Sequence, residues 1–323
     1  MRRAVVIGTG MHLPERVMAN VDFERVIETN HEWIVERTGI HQRHIAAEGE
    51  VTSDLGVVAG AMAIKNAGIA PDSIDLVVLA TTTPDDTMPS TATKIQHRLG
   101  ITGGAAFDIN AACSGFVYAM AVANSFIISG MAKRVLVLGA ETYSRILDWQ
   151  DRTTSILFGD GAAALVLEAQ EQQGTSEDRG VLFTGIHSDG QYTGLLATNG
   201  GVSSTMTSGK MFMSGKDIFR HAVAKMPAAV EEAMAAIGKP IDAIDWLVPH
   251  QANMRILSSV GQKLGISEQK LIATVANHAN TSAASIPLAL HLGSQDGRIK
   301  KGQLIACPAL GAGLTWGCTL IRW

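Results

Sequence analysis

At 323 residues the chain exceeds what one hydrophobic core usually organises, and 46% hydrophobic residues leave ample apolar surface to bury. A formal net charge of −4 argues against nucleic acid or an anionic membrane as the main partner, so any basic site must be local. Aromatics are only 5%, and the abundance of small residues points to an α/β protein with helices lying close on buried strands.

The start, MRRAVVIGTGMHLPERV, has two arginines and then an apolar run of only four residues, too short for a signal-peptide core. AVVIGTG is the first predicted strand. TSDLGVVAGAMAIKNAGI predicts a helix that begins on a Ser/Thr/Asp cap and stops near Gly68. LVVLATTTP, AAFDINA, VLVLGAET and AALVLEA follow as strands, apolar without alternation and therefore expected to be covered on both faces. The polar run EAQEQQGTSEDRG, 168 to 180, is the predicted join between an N-terminal half, 1–172, and a C-terminal half, 173–323. Beyond it, IFRHAVAKMPAAVEEAMAAIG predicts a helix ending at Gly238, with Pro227 a point where it can kink. WLVPHQAN, LIATVAN, LIACPALGAG and WGCTLIRW complete the strands. No later run is read as approaching the ~18 uncharged apolar residues of a membrane span. Cys113, Cys307 and Cys318 form no CxxC pair and suit free thiols, so a cytoplasmic protein is expected.

The halves paraphrase each other. DLVVLATTTP, AAFDINAACSGF and GDGAAALVLE in the first are matched in order by DWLVPHQAN, LIATVANHANTSAAS and GAGLTWGCTLIRW in the second. A duplicated α/β unit follows, and packing by a pseudo-twofold would set Cys113 opposite residues 278–282. Asn280 then stands in the setting that Cys113 occupies in the first half.

Several familiar sites are excluded. GTGMHL lacks the third glycine of a dinucleotide fingerprint, with Leu13 in its place. A phosphate loop at SGKMFMSGKD would need glycine at Lys210 and a hydroxyl at Asp217. His41 and His44 have no metal-binding frame, and no G-x-S-x-G elbow occurs. What remains is Cys113, expected at a helix N-terminus where the helix dipole would lower its pKa, among small residues that let backbone N–H groups approach a thioester oxygen. Each candidate also has an ordinary reading: a small buried hydrophobe for Cys113, a core or capping residue for His250, a helix cap for Asn280. Residue types alone do not choose between His250 and His278 as the working imidazole.

Taken together, AACSGF, PHQANMRI, NTSAAS and GAGLTWG, in that order, resemble the thiolase-fold condensing enzymes, and among them the 3-oxoacyl-(acyl-carrier-protein) synthase III family. The likeness runs nearly end to end through NHEWIVERTGI and DRTTSILFGDGAAA. It implies a five-layered αβαβα fold built from two pseudo-repeated halves, and a decarboxylative condensation of a short acyl-CoA with malonyl-(acyl carrier protein) that starts fatty acid synthesis. It also implies that Cys113 is the acylated nucleophile and that His250 and Asn280 complete the triad, with His278 a neighbour. Backbone N–H groups of Cys113 and Ala312 would hold the oxyanion. Trp33 and Arg152 would sandwich the CoA adenine, supported by Thr29, Arg37 and Asn253. Basic faces at Lys216 and Arg220, and at Arg255 and Lys263, would dock the acidic carrier protein. The enzyme is expected to be a homodimer and to need no metal or redox cofactor.

Three departures from the family pattern bear on this. Gly311, Ala312, Gly313 replaces a run of three glycines; Ala279 stands where glycine is common and would be strained if that position has φ > 0. Met88 stands where many relatives have a phenylalanine that reaches across the dimer to line the partner's acyl pocket. Two rivals accompany the reading: an acyltransferase of secondary metabolism that uses the same cysteine, and a non-catalytic acyl-CoA-binding scaffold.

Overall fold

The computed structural model describes residues 1–323. In chain order the first half contains β1 (Arg2–His12), β2 (Val17–Ala19), α1 (Asn20–Phe23), α2 (His31–Thr38), β3 (Gln42–His44), α3 (Thr52–Ala67), β4 (Leu76–Ala80), α4 (Thr91–Arg98), β5 (Ala105–Ile109), α5 (Gly115–Ser129), β6 (Arg134–Glu141) and β7 (Gly161–Glu171). The second contains β8 (Gly180–Ser188), β9 (Leu196–Thr198), β10 (Met211–Met213), α6 (Gly215–Ala236), β11 (Trp246–Leu247), α7 (Met254–Lys263), α8 (Val275–His278), α9 (Ser285–Gln295), β12 (Leu304–Gly311) and β13 (Thr315–Arg322).

Every residue of β4 is buried, as its unbroken apolar run requires. The strands form two main sheets, β1-β7-β6-β4-β5 and β8-β13-β12-β11. Read in those directions, the orders coincide strand for strand, and β4/β6 and β11/β12 are the matching parallel pairs. The fifth strand expected in the second sheet, LIATVAN, is a single bridge from Leu271 to Leu247, after which the chain turns into α8. The cause is local. The buried Gln251 side chain donates to Ile272 O (3.2 Å) and accepts from Thr274 N–H (2.7 Å), taking backbone groups that a longer ladder would use.

Helices fill the remaining three layers. α3 and α4 cover the outer face of the first sheet, and α6 and α7 that of the second; α5 and α9 lie between the sheets. The middle layer is one apolar core drawn from both halves, including Phe116, Met120 and Ile127 of α5 with Ile286 and Leu290 of α9. This is the αβαβα arrangement expected. Ala112–Ser129 is long and apolar enough to cross a membrane by length and composition, contrary to the reading that no such run exists; most of it is buried between the sheets as a core helix.

Other differences have simple reasons. β7 extends to Glu171, so the polar connection is 172–179. The glycine-broken GVLFTGIHS still forms β8, because pairing with β13 overrides its weak pattern. α3 ends at Gly68 with φ 68° as predicted, but at its start the Asp54 carboxylate reaches back to Val51 N–H (2.8 Å). α6 runs continuously through Pro227 and stops at Ala236, two residues before Gly238.

Ala279 adopts φ 57°, ψ −159°, a region that glycine enters freely and alanine does not. The strain anticipated at this position is therefore present beside Asn280. Replacing Ala279→Gly should raise stability in urea unfolding by about 1 kcal/mol, strain relief exceeding the added chain entropy; a variant less stable than the parent would contradict the strain.

Candidate active site

Two turns, one from each half, build the site. After β5, Ala112–Ser114 forms a single 3₁₀ turn that leads into α5, and Ala112 is forced to φ 47°. Before α9, Ser282–Ala284 forms the same turn, with Ser282 at φ 50°. In each an asparagine two residues upstream accepts from the strained residue's N–H: Asn110 Oδ1 from Ala112 (3.3 Å) and Asn280 Oδ1 from Ser282 (2.8 Å). The repeat thus equates Asn280 with Asn110, and Cys113 with Ala283, which shifts the equivalence read from the sequence by three residues. A strand glycine lies under each turn. A Cβ on Gly311 would sit 2.8 Å from Cys113 N, and one on Gly139 only 2.3 Å from Ala283 O.

Cys113, His250 and Asn280 all line one cavity of about 530 Å³, whereas His278 does not, so of the two histidines only His250 shares a cavity with Cys113. His250 leaves the end of β11 with its N–H bonded to Pro308 O (2.9 Å) and its Nδ1 2.8 Å from Ser285 Oγ. Asn280 is held by both main-chain groups, N–H to Leu157 O (2.9 Å) and O from Gly159 N–H (3.0 Å). With its Oδ1 committed to Ser282, its free donor is Nδ2. The inner wall is apolar, with Phe158, Leu196, Ile218, Met226 and Leu310. At the exposed end stand Trp33, Arg37, Arg152, Lys216 and Arg255, and no carboxylate lines the cavity.

The electrostatics correct one expectation. Burial pushes the Cys113 thiol up to about 12; the nearby Ser282 hydroxyl and its own N–H lower it only partly, and Glu141 raises it further. The helix start does not yield a resting thiolate. Burial also lowers His250 to about 3. The resting pair is a neutral thiol and a neutral imidazole.

Behind Cys113 lies a buried group with no sequence signal. Glu141 is fully buried; its Oε2 accepts from Thr83 Oγ1 (2.7 Å), Thr82 N–H (3.0 Å) and Thr83 N–H (3.2 Å), while Oε1 has no partner. Ser282 Oγ stands close enough to perturb Cys113, Glu141 and Tyr143, yet makes no well-formed hydrogen bond to any of them. Glu141 ends an ordinary apolar strand in the sequence, and only the folded turn brings it to the cysteine.

The remaining predicted residues divide. The Trp33–Arg152 sandwich is closed: the guanidinium groups of Arg152 and Arg37 each lie 4.4 Å from the Trp33 ring centre, which leaves no gap for a purine beside Arg152. Arg152 also donates to Glu28 O (2.7 Å). Asn253 lines the cavity and at the same time caps α7, accepting from Ile256 N–H (3.0 Å). Thr29 is outside the lining; its buried hydroxyl has no partner. Ala312 lines a second cavity of about 420 Å³ beside Ala111 and Ala112, and its carbonyl is held by Thr315 Oγ1 (2.8 Å). Met88 is 83% exposed and lines neither cavity. Lys216 and Arg255 line the mouth, whereas Arg220, paired with Asp217 (2.8 Å), and Lys263 stand exposed outside it.

A thiol, an imidazole and a carboxamide converging between two duplicated α/β halves define a condensing enzyme of the thiolase-like fold. Residues 107–190 match the family model for 3-oxoacyl-[acyl-carrier-protein] synthase III, and residues 234–323 that for its C-terminal part. Over the full length of both chains the sequence is 56% identical to a beta-ketoacyl-[acyl-carrier-protein] synthase III from Agrobacterium fabrum; one from Rhodospirillum centenum is also 56% identical, over 99% of each chain. The crystal structure of the Aquifex aeolicus synthase III superposes with a TM-score of 0.93 at 41% identity, covering 99% of this chain and 100% of that one. A priming beta-ketosynthase of the R1128 polyketide pathway gives 0.91 at 33% identity, covering 99% and 97%. The chain belongs to the 3-oxoacyl-[acyl-carrier-protein] synthase III family, the acyltransferases whose condensation initiates fatty acid synthesis.

Glu141 yields a signed prediction. Its carboxyl keeps its proton up to about pH 7 in the folded chain, against 4.5 ordinarily, so between those values the folded state binds the extra proton and stability falls as pH rises. Glu141→Gln should remove that loss, moving the stability difference in the variant's favour by roughly 3 kcal/mol between pH 4 and 8 in urea titrations. A difference independent of pH would contradict the shifted carboxyl. The same variant should speed iodoacetamide alkylation of Cys113 at pH 8, because a negative neighbour is lost.

Proposed function

We propose that the protein condenses a short acyl-CoA with malonyl-(acyl carrier protein) through an acyl-Cys113 intermediate. The observation that carries this is the single cavity, apolar inside, cationic at its mouth, and furnished at its depth with Cys113, His250 and Asn280. The apolar wall suits an acyl chain, and Arg37, Arg152, Lys216 and Arg255 suit the phosphates of CoA and of a carrier-protein arm. For adenine to stack on Trp33, one of its two arginines must swing away.

In the first half-reaction the Cys113 sulfur attacks the thioester carbonyl. The thiol proton leaves with CoA as its thiol, so no standing thiolate is needed, and the Cys113 and Ala312 N–H groups serve the oxyanion. In the second, His250 and Asn280 donate N–H bonds to the malonyl thioester oxygen. Carbon dioxide departs from a carboxylate that no cation restrains, and the enolate carbon attacks the acyl-cysteine carbonyl; the C–S bond then breaks, releasing the 3-oxoacyl product on the carrier protein, and the Cys113 thiolate takes up a proton from solvent to restore the resting thiol. Burial supports this role, since a protonated imidazole would pair with the carboxylate that must leave. Side chains and backbone suffice for every step, with no metal or redox cofactor.

The two halves, 1–172 and 173–323, supply nucleophile and donors respectively. The free edge of β5 and the exposed Met88 support a homodimer in which Met88 reaches the partner's acyl pocket. Arg220 and Lys263 extend the basic rim for a carrier protein. Three buried free thiols suit the cytoplasm.

Intact-mass spectrometry after exposure to acyl-CoA should show one acyl group on the parent and none on Cys113→Ala; an acylated variant would refute the nucleophile. Charge reversal at Lys216 and Arg255 should raise KM for the carrier-protein substrate at least about tenfold, while a small malonyl thioester lacking phosphate is decarboxylated at the parental rate. Equal losses on both substrates would contradict a docking role.

A further inference from the structure

We propose that Ser285 is a positioning residue for His250: its hydroxyl donates to Nδ1 and so fixes the tautomer in which Nε2 carries the hydrogen. The inference rests on the donor role given to His250 above.

Hydrogen-bond accounting supplies the direction. Ser285 and His250 are 1% and 3% exposed, so water is not available to complete their valences. Ser285 Oγ has two neighbours, His250 Nδ1 at 2.8 Å and Gln251 N–H at 3.2 Å. The Gln251 N–H can only donate, so the hydroxyl accepts there and has one hydrogen to place. Near a helix start such a hydrogen often turns to the carbonyl four residues back, but Ser285 Oγ makes no hydrogen bond to Thr281 O, its neighbours being the two just named. Nδ1 is the one acceptor left. The opposite tautomer, with Nδ1–H donating to Oγ, would strand the serine proton in a buried site.

The scaffold around this contact is fixed. Gln251 is 1% exposed, and its side chain bonds Pro249 O (2.7 Å), Ile272 O and Thr274 N–H, which holds its main-chain N–H on the serine. In the duplicated first half the position of Ser285 is Gly115, whose added Cβ would lie 3.1 Å from Ala80 Cβ. A hydroxyl therefore exists only in the half that carries the imidazole. With Nδ1 accepting, Nε2–H joins Asn280 Nδ2 as the second donor of the triad, and neither group is left as an acceptor for the enolate oxygen.

The test is long-range ¹H–¹⁵N NMR of the ¹⁵N-histidine-labelled protein, with the His250 resonances identified by their loss in His250→Gln. In the parent, Nδ1 should be the unprotonated nitrogen and Nε2 the protonated one; in Ser285→Ala, the two should move toward a mixture. Decarboxylation of the malonyl substrate by the acylated enzyme should fall about tenfold or more in Ser285→Ala, a fraction of the 10²–10³ that loss of a whole donor costs. Acylation of Cys113 by acyl-CoA should stay within about threefold of the parent, which also certifies the fold, and Ser285→Thr should recover most of the decarboxylation. A protonated Nδ1 in the parent, or a Ser285→Ala protein with parental decarboxylation, overturns the inference. Failure of the parent to acylate at all would instead overturn the proposed reaction, while the NMR result would still decide the role of Ser285.

Discussion

The site depends on two strained turns pressed against strand glycines between the sheets. Each leads the chain into a middle-layer helix within three residues, and each does so by forcing a non-glycine residue to positive φ while an asparagine side chain accepts from its N–H. Because Gly311 and Gly139 leave no room for a Cβ, sheet and turn approach closely enough to bring Cys113 and Asn280 to one cavity. Strain is concentrated where the chemistry is placed, and the extensive middle core stabilises it.

Desolvation follows from the same geometry. Closing the turns between two sheets removes Cys113, Glu141 and His250 from water, and in each the neutral form is favoured. An enzyme that must release carbon dioxide from a carboxylate gains from neutral donors, and a transthioesterification, in which one thiol replaces another, does not need a stored thiolate. Positive charge is held instead at the mouth, on Arg37, Arg152, Lys216 and Arg255, where a phosphate-bearing substrate would meet it before the acyl group reaches the depth.

Much of this was legible in the sequence. Unbroken apolar runs marked β1, β4, β6, β7, β12 and β13, and the repeated order of elements showed the duplication, because both depend on local composition. The strain at Ala279 is readable only through the family resemblance, because glycine is common in relatives at that position and the chain has φ 57° there. What escaped depended on contacts distant in the chain. LIATVAN has strand composition, but Gln251, twenty residues away, claims its backbone. Glu141 lies in no motif and Ser285 only closes the small-residue run NTSAAS; their contacts appear only when Cys113 and His250 are folded onto them. The lowered pKa expected of Cys113 from its place before α5 is reversed by burial, which the strand and helix pattern around it already implies. The Trp33–Arg152 sandwich is closed in this structure because arginines that could clamp a base stack equally well on bare tryptophan.

The most direct test of the account is a crystal structure of the protein after reaction with a short acyl-CoA. Density should continue from the Cys113 sulfur into the apolar wall near Phe158 and Leu310, with the acyl carbon within reach of both His250 Nε2 and Asn280 Nδ2. An acyl group attached elsewhere, or one on Cys113 that points away from His250 and Asn280, would contradict a single site assembled by the two turns.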